Sequence, residues 1–529
     1  MPKHIVVCSD GTGNTAIKGR GTNVFKLFEA VDLNGHRKDI RLIPQVAIYD
    51  DGVGTQDFKP LKIFAGATGY GLARNVRQLY KELVRFYDPG DQIFLFGFSR
   101  GAFTVRTLAG MINACGILDP SKLHTTRELN TAVSTAYKVY RQRYHTRLAK
   151  LLGFGKNEAL IKRFEAKYAR HTPEFPVKFM GVWDTVDAVG TPFHISDIIN
   201  ATIHRFKFPD PVLNPAVEHA CHALAIDEER HSFRPVLWED HPRIEQVWFA
   251  GVHSNVGGGY PKQGVSLVAL DWMLQKAHEK GGLRLLANDR AACREHANVD
   301  DKLYDSRAGL GIFYRWLPRD MEQLCKEKSV HPLIHVSALE RIAHGTDDYA
   351  PGNLAPNATV VFTPTGDNKF DAALRTRAQQ VEQEFHLAFE KKTPLLVDVK
   401  TAIFFGHVSY YVYVLSCVAV VLAASVPHGT GSRLDPWVVL KNAGSMIASA
   451  ASLQFGPAWL GLKRLMTTPE LLGTLAAGFG LSYGLWLAAH RRMSFVFSRF
   501  WHPRQPKLRA ALKSARKAAA ASAAAGGIG

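Results

Sequence analysis

Apolar-rich runs recur at His4–Cys8, Gln45–Tyr49, Ile93–Phe96, Val177–Trp183 and Ile244–Ala250, and each closes on a turn bearing Gly or Asp. Such runs, largely unbroken by alternation, are what strands buried on both faces of a sheet require. Between them the period lengthens to that of helices, over 22–32, Leu72–Tyr87 and Ala102–Met111. Strand and helix alternating at this spacing predict an α/β fold around a mostly parallel sheet. From 120 to 175 only helical spacing continues, through Leu151, Leu160, Ile161, Phe164 and Tyr168. Twelve Lys or Arg fall between Lys122 and Arg170, so this stretch reads as a basic helical insertion able to cap a site. Residues 281–390 are helical in pattern, with one short strand near Leu333–Val336.

The pattern then changes character. Ile403–Val426 is 24 residues without Asp, Glu, Lys or Arg, long enough to cross a bilayer core of about 30 Å. Leu471–Ala489 is a second such stretch, with Gly480 and Gly484 spaced for close helix contact. Trp437–Leu460, broken by Lys441, Gln454, Gly456 and Pro457, reads as interfacial or re-entrant, with a third span as the alternative. The expected layout is a domain over 1–370, a helical linker at 371–400, a membrane region at 401–492 holding spans 403–426 and 471–489, and a basic Ala-rich tail at 493–529. Lys391, Lys392 and Lys400 precede the first span, and Arg491, Arg492, Arg499 and Arg504 follow the second. Positive residues favour the cytoplasmic side, which puts both ends there and makes the number of spans even.

Composition sharpens this only in part. Sixty-five Lys and Arg against 47 Asp and Glu give a net charge of +18, suited to anionic partners. No nucleic-acid-binding motif accompanies the charge, so a membrane surface is the better partner than DNA or RNA. Six scattered cysteines without Cys-x-x-Cys pairing predict reduced, mostly buried thiols and no zinc site. The N-terminal run turns polar too soon for a signal peptide and reads as a first strand.

The chemistry gathers at run ends. Gly97-Phe-Ser-Arg-Gly101 lies between a strand and a helix, the context of a nucleophile elbow with Ser99 as nucleophile. Asp184 closes the Val177–Trp183 strand and is the expected triad acid, with Asp187 as fallback. His253 follows the Ile244–Ala250 strand in the glycine-rich stretch Gly251–Tyr260, and its near-neutral pKa suits a general base. The order Ser99, Asp184, His253 is that of α/β-hydrolases. Backbone N–H groups of Arg100 and of Gly11 or Thr12, in the turn after the first strand, are the expected oxyanion donors. His219 and His222 do not form His-Glu-x-x-His and read as helix packing. The mechanism calls for neither metal nor cofactor.

Asp10-Gly-Thr, Tyr49–Gly54, Gly97–Ala102, Val182–Val186, His222–Glu228 and Val247–Tyr260 follow one another in an order that resembles the DUF2235 family and its Tle1-type phospholipase effectors of type VI secretion. The similarity runs over roughly 1–360. It implies an α/β-hydrolase domain whose triad matches Ser99, Asp184 and His253 and acts on ester bonds, those of phospholipids in the secreted members. Asn255 departs from the pattern, where the family usually carries Asp. The expectation is a membrane-anchored serine esterase, a lipase or phospholipase, multi-pass in the bacterial inner membrane with its catalytic domain facing the cytoplasm. Two rivals stand beside it. One is a non-catalytic membrane scaffold that keeps the fold; the other is a secreted antibacterial effector with an immunity or secretion partner.

Overall fold

The structure, a computed structural model, describes residues 2–11, 21–51, 70–142, 158–186, 212–364, 368–390, 394–425, 469–513 and a few positions between 438 and 445. Eight strands form one sheet: β1 (His4–Ser9), β2 (Gln45–Asp50), β3 (Gln92–Phe98), β6 (Val177–Trp183), β7 (Val217–Ala225), β8 (Ile244–Phe249), β9 (Leu333–His335) and β10 (Thr359–Val361). Their order is β10-β9-β8-β7-β6-β3-β1-β2, and every pairing is parallel. The chain steps outward from β1 to β2, then returns to β3 on the other side of β1. The strand order therefore reverses between β1 and β3, where open α/β sheets form a crevice at the carboxyl ends of their strands.

Both faces of the sheet are covered, which is why its strands read as apolar runs. On one face the helices Tyr70–Phe86 and Arg100–Cys115 bury Leu79, Tyr80, Leu83, Val105 and Leu108 against Ile5, Val7, Ile93 and Leu95. On the other, Asn23–Ala30 and Gly264–Gly281 bury Val24, Leu27, Trp272 and Met273 against Val6, Phe94, Phe96 and Phe179. Alternate residues of each strand thus feed two separate cores.

Several expectations need correction. Of the stretch expected to cap the site, residues 143–157 lie outside the described residues, and the helix Thr126–Arg141 is built into the body of the domain. Its Ala132, Val133, Ala136 and Tyr140 pack with the helices Tyr70–Phe86 and Arg100–Cys115, forming a further layer outside them. The stretch also contains a short strand: β5 (Arg170–His171) pairs antiparallel with β4 (Ile117–Leu118), which precedes the stretch, and the His171 ring lies near Tyr87. Most of its basic residues face away from this packing, so charge concealed the amphipathic stripe that docks the helix. His219 and His222 lie in β7, not in a helix. Two buried faces remove the alternation that would have marked this strand, and a histidine pair three apart imitates helical spacing. β10, three residues long, has too little pattern to be seen.

The C-terminal part is more closely joined to the sheet domain than a linker and tail would be. Helix Asn368–Phe389 buries Val381, Phe385 and Phe389 in a third core with Ile226, Trp248 and Ile334. The last long helix runs Pro469–Trp501, 33 residues, well beyond Ala489. Its Ala489, Met493, Phe497, Phe500 and Trp501 enter that same core, followed by Leu508 and Leu512. These apolar positions recur at three- and four-residue steps, and the arginines interleaved among them disguised the stripe as a basic tail. Trp501 is fully buried, and its indole N–H donates to the Pro351 carbonyl (2.8 Å).

Two helices, Lys400–Ser425 and Pro469–Trp501, are long and apolar enough to cross a membrane, with most of their apolar windows unburied. They pack on each other through Ser409 and Ser482, each hydroxyl donating to the other's carbonyl (2.8 and 2.9 Å), and through Gly478 beside Ser416. Gly480 and Gly484 have no neighbour near their Cβ positions among the described residues, so the contact that joins these two helices is not the expected Gly-x-x-x-Gly one. Nearly all of Trp437–Leu460 lies outside the described residues, as does the tail after Lys513.

Candidate active site

Ser99 sits between β3 and the helix Arg100–Cys115 with φ 59° and ψ −123°, a conformation L-residues rarely adopt. Close packing enforces it. A Cβ on Gly97 would stand 2.6 Å from the Gly101 carbonyl oxygen, and one on Gly101 would stand 2.5 Å from that of Asp10. The helix can begin so near β1 only because both positions are glycine. The Ser99 N–H donates to the Trp183 carbonyl (3.0 Å), stitching the elbow to β6 one residue before Asp184.

Asp184 is the second strained residue, with φ 38°. It is fully buried, and its side chain is held from three directions. Oδ2 is 2.6 Å from His253 Nδ1, Oδ1 accepts from the Ala225 N–H (3.0 Å), and Arg319 reaches both oxygens (2.7 and 2.8 Å). Burial alone would raise its pKa. The charge of Arg319 and the hydrogen bonds from His253 and Arg319 overcome this and hold the carboxyl far below the ordinary range. Strain of roughly 1–3 kcal/mol at such residues persists only where surroundings over-determine it, and here it falls on two of the three expected triad positions.

His253 opens a short helix, His253–Gly257, after β8. Its backbone N–H donates to Glu228 Oε2 (3.2 Å), and its ring lies between Phe98 (4.6 Å) and Phe233 (5.0 Å, edge-on). Burial lowers its pKa below the ordinary histidine value, against the opposing hydrogen bond and charge of Asp184. The imidazole is therefore neutral near pH 7, and the Asp184 contact at Nδ1 leaves Nε2 on the other side of the ring. Asn23 braces this loop by donating to the Val256 and Ser266 carbonyls (2.8 and 2.9 Å).

Asp187 and Thr12 lie outside the described residues. The Gly11 N–H donates to Asp10 Oδ1 (2.6 Å), so in this arrangement it is engaged within its own turn. Asp10 in turn accepts from the Thr22 and Tyr49 hydroxyls (2.5 and 2.7 Å). The Arg100 N–H is the first of its helix and has no intrahelical acceptor by position, one peptide from Ser99.

Sequence reasoning missed four residues. Arg319 comes from a loop with no motif around it. Glu228 stood in a quoted stretch without a role; burial would raise its carboxyl, but Arg230, with a smaller contribution from Arg319, holds it down to about 2. Arg230 grips Glu228 through Nε (2.8 Å) and lies over Phe233 (3.5 Å), which faces His253. His222, fully buried, accepts from the Thr185 N–H (3.1 Å) behind Asp184, and burial pushes it down to about 3. No cluster of metal-ligating side chains occurs among the described residues.

Residues 3–276, more than half the chain, match the profile of the catalytic domain of Tle1-like type VI secretion phospholipase effectors. The chain belongs to this family. An uncharacterized protein of Saccharomyces cerevisiae is 26% identical to this Tle1-like chain over 259 residues, covering 46% of the chain and 34% of the yeast protein. The chain thus spans about a third of the length of that relative. Among solved structures, an uncharacterized protein from Pseudomonas aeruginosa is similar over 74% of this chain and 60% of its own, at 17% identity and a TM-score of 0.32. A Tle1 effector bound to the VgrG spike of the type VI secretion system is similar over 49% and 51%, at 19% identity and a TM-score of 0.27.

Proposed function

We propose that this Tle1-like protein is a membrane-anchored serine esterase of the α/β-hydrolase type acting on phospholipid. The observation that carries the reading is the pairing of a strained elbow serine with an Asp184–His253 contact of 2.6 Å, all at the carboxyl ends of one parallel sheet. Asp184 holds the His253 proton at Nδ1, so Nε2 accepts the Ser99 proton as Oγ attacks the ester carbonyl. The Arg100 N–H stabilises the oxyanion, with a second donor from the turn after β1. Collapse of the tetrahedral intermediate breaks the ester C–O bond, and the alcohol leaves with the proton from His253. Water then repeats the sequence on the acyl-serine, releasing the carboxylic acid and restoring Ser99. A fluorophosphonate probe tests this directly. The wild type should be labelled and Ser99→Ala should not; equal labelling sinks the idea.

The membrane reading is supported by helix length. Removing the docked end of the last helix leaves Pro469–Ala488, 20 residues or about 30 Å at 1.5 Å per residue, the thickness of a bilayer core. The first helix begins on the domain, with Val399 and Ala402 in its core, and the second ends on it at Trp501. Both chain ends of the helical pair thus lie with the catalytic domain, as an even number of spans requires. With the flanking Lys and Arg, this favours a cytoplasmic catalytic face in a bacterial inner membrane. Protease accessibility of inside-out against right-side-out vesicles tests the orientation.

A further inference from the structure

The segment from Leu303 to Trp316 joins the candidate active site to the apolar helices. On its inner side, the Tyr304 N–H donates to Asn255 Oδ1 (3.2 Å), the Ser306 hydroxyl to Glu228 Oε1 (2.9 Å), and the Tyr314 ring meets Phe233 edge-on (5.5 Å). Tyr314 also stands near Arg100, the residue after Ser99. On its outer side, the Phe313 ring meets Tyr413 (5.7 Å), the Phe313 carbonyl accepts from the Tyr410 hydroxyl (3.2 Å), and Trp316 packs against Gly406. The segment is one wall shared by two compartments.

The second compartment is a cavity of about 430 Å³ between this wall and the two apolar helices. Ile312, Tyr413, Phe479, Tyr483 and Trp486 give it an apolar and aromatic lining. Arg307 also lines it, beside Asp305, whose carboxylate accepts the Arg307 backbone N–H (2.7 Å). The Arg307 Nε–H is buried and has no hydrogen-bond partner among the described residues. The volume falls in the range of ligand sites, about 300–1,000 Å³. Tyr and Trp side chains of this kind gather where hydrocarbon meets headgroup.

We propose that this slot holds an acyl chain of a bilayer phospholipid, with the lipid phosphate drawn to Arg307 and the ester linkages facing the Tyr314 side of the wall. The inference rests on the two helices being membrane spans, and it deepens the esterase reading by giving substrate a lateral entry from the bilayer. Walls that are mostly apolar and aromatic suit a hydrocarbon chain, and the Arg307 guanidinium at their margin, with Glu229 and Asp305 as acidic neighbours and its Nε–H without a hydrogen-bond partner among the described residues, suits an anionic headgroup. Phospholipid carries both on one molecule.

The test uses full-length Ser99→Ala protein in phosphatidylethanolamine and phosphatidylglycerol vesicles carrying phosphatidylglycerol with a diazirine on one acyl chain. After irradiation, adducts are mapped by mass spectrometry. Adducts are expected on Tyr410, Tyr413 and Phe479 as well as on outward residues such as Tyr483, Phe404 and Leu415, which any lipid would reach. Adding Ala308→Trp, which fills the slot, should cut the slot adducts by about tenfold and leave the outward ones unchanged. Adducts confined to outward residues, or slot adducts indifferent to Ala308→Trp, overturn the proposal. Fluorophosphonate labelling of the protein with Ser99 intact is read in parallel. If that labelling is absent while slot adducts persist, the esterase reading fails and the lipid slot stands.

Discussion

Arg319 grips Asp184 through both carboxylate oxygens, Nη1 to Oδ1 at 2.7 Å and Nη2 to Oδ2 at 2.8 Å, with both side chains buried. Arg319 also donates to the carbonyls of Ala225 and Phe233 (2.5 and 2.6 Å), so it fixes the acid against β7 and against the loop that carries Phe233. Removing one partner of a buried pair leaves an uncompensated charge, at about 3–5 kcal/mol. Arg319→Gln should lower thermal stability by that order and raise the Asp184 pKa. Since the folded carboxyl is held below its unfolded value, its stabilising contribution is present above the unfolded pKa and lost as pH falls through the folded one. The variant should therefore lose stability at higher pH than wild type on acid titration, measured by tryptophan fluorescence. Identical acid transitions would remove Arg319 from this role.

The pH dependence of turnover should follow His253. Its pKa is lowered, chiefly by burial, so the neutral base persists to below the ordinary histidine value of about 6.5. With a water-soluble short-chain ester, kcat/KM should rise with pH through an apparent pKa below that value and reach its plateau near neutrality. The same depression makes folding favour the unprotonated ring, so this contribution to stability is also present above the unfolded pKa and fades on acidification. Asp184→Asn should reduce kcat by several orders of magnitude, about 10⁴ by analogy with serine proteases, because the wrong tautomer is favoured. An acid limb centred above 6.5 in wild type would contradict the assignment.

The strands that carry Ser99, Asp184 and His253 were legible because each ends an apolar run, and run ends of a parallel sheet are where side chains can converge. Arg319 was not legible, since it reaches Asp184 from a loop 135 residues away and no local pattern marks the approach. The β7 strand was hidden by its burial on both faces, and the docking of Met493, Phe497 and Trp501 by the arginines between them. The elbow's two glycines were readable as a motif, but only the structure gives their neighbours, the start of the following helix for Gly97 and the carbonyls at the end of β1 for Gly101.

Asn255, two residues after His253, offers a test of what holds this loop in place. Its Oδ1 accepts from the Tyr304 N–H (3.2 Å), and its Nδ2 donates to the Lys302 carbonyl (3.2 Å). A carboxylate keeps the first bond and loses the second, placing an acceptor against an acceptor. Asn255→Asp should therefore destabilise the fold by about 1–3 kcal/mol, the cost of leaving a buried polar group unsatisfied. Loop 302–304 should become more readily cleaved by protease, as measured by limited proteolysis with mass mapping. A variant as stable and as protected as wild type would show that the amide donor is not needed.

The docked end of the last helix predicts that this helix and the sheet domain unfold together. Trp501 is fully buried among Phe385, Phe389 and Phe500, with its N–H on the Pro351 carbonyl. Trp501→Ala removes a large aromatic side chain and one hydrogen bond, and comparable core truncations cost about 3–5 kcal/mol. Trp501→Phe keeps most of the volume, leaves Pro351 unpaired and should cost less, about 1–2 kcal/mol. In detergent, the loss of fluorophosphonate labelling on heating should move to lower temperature in the order wild type, Trp501→Phe, Trp501→Ala. If labelling in Trp501→Ala survives to the wild-type temperature, the C-terminal helix is attached to the domain without stabilising it, and the shared core around Phe385 does not couple the two.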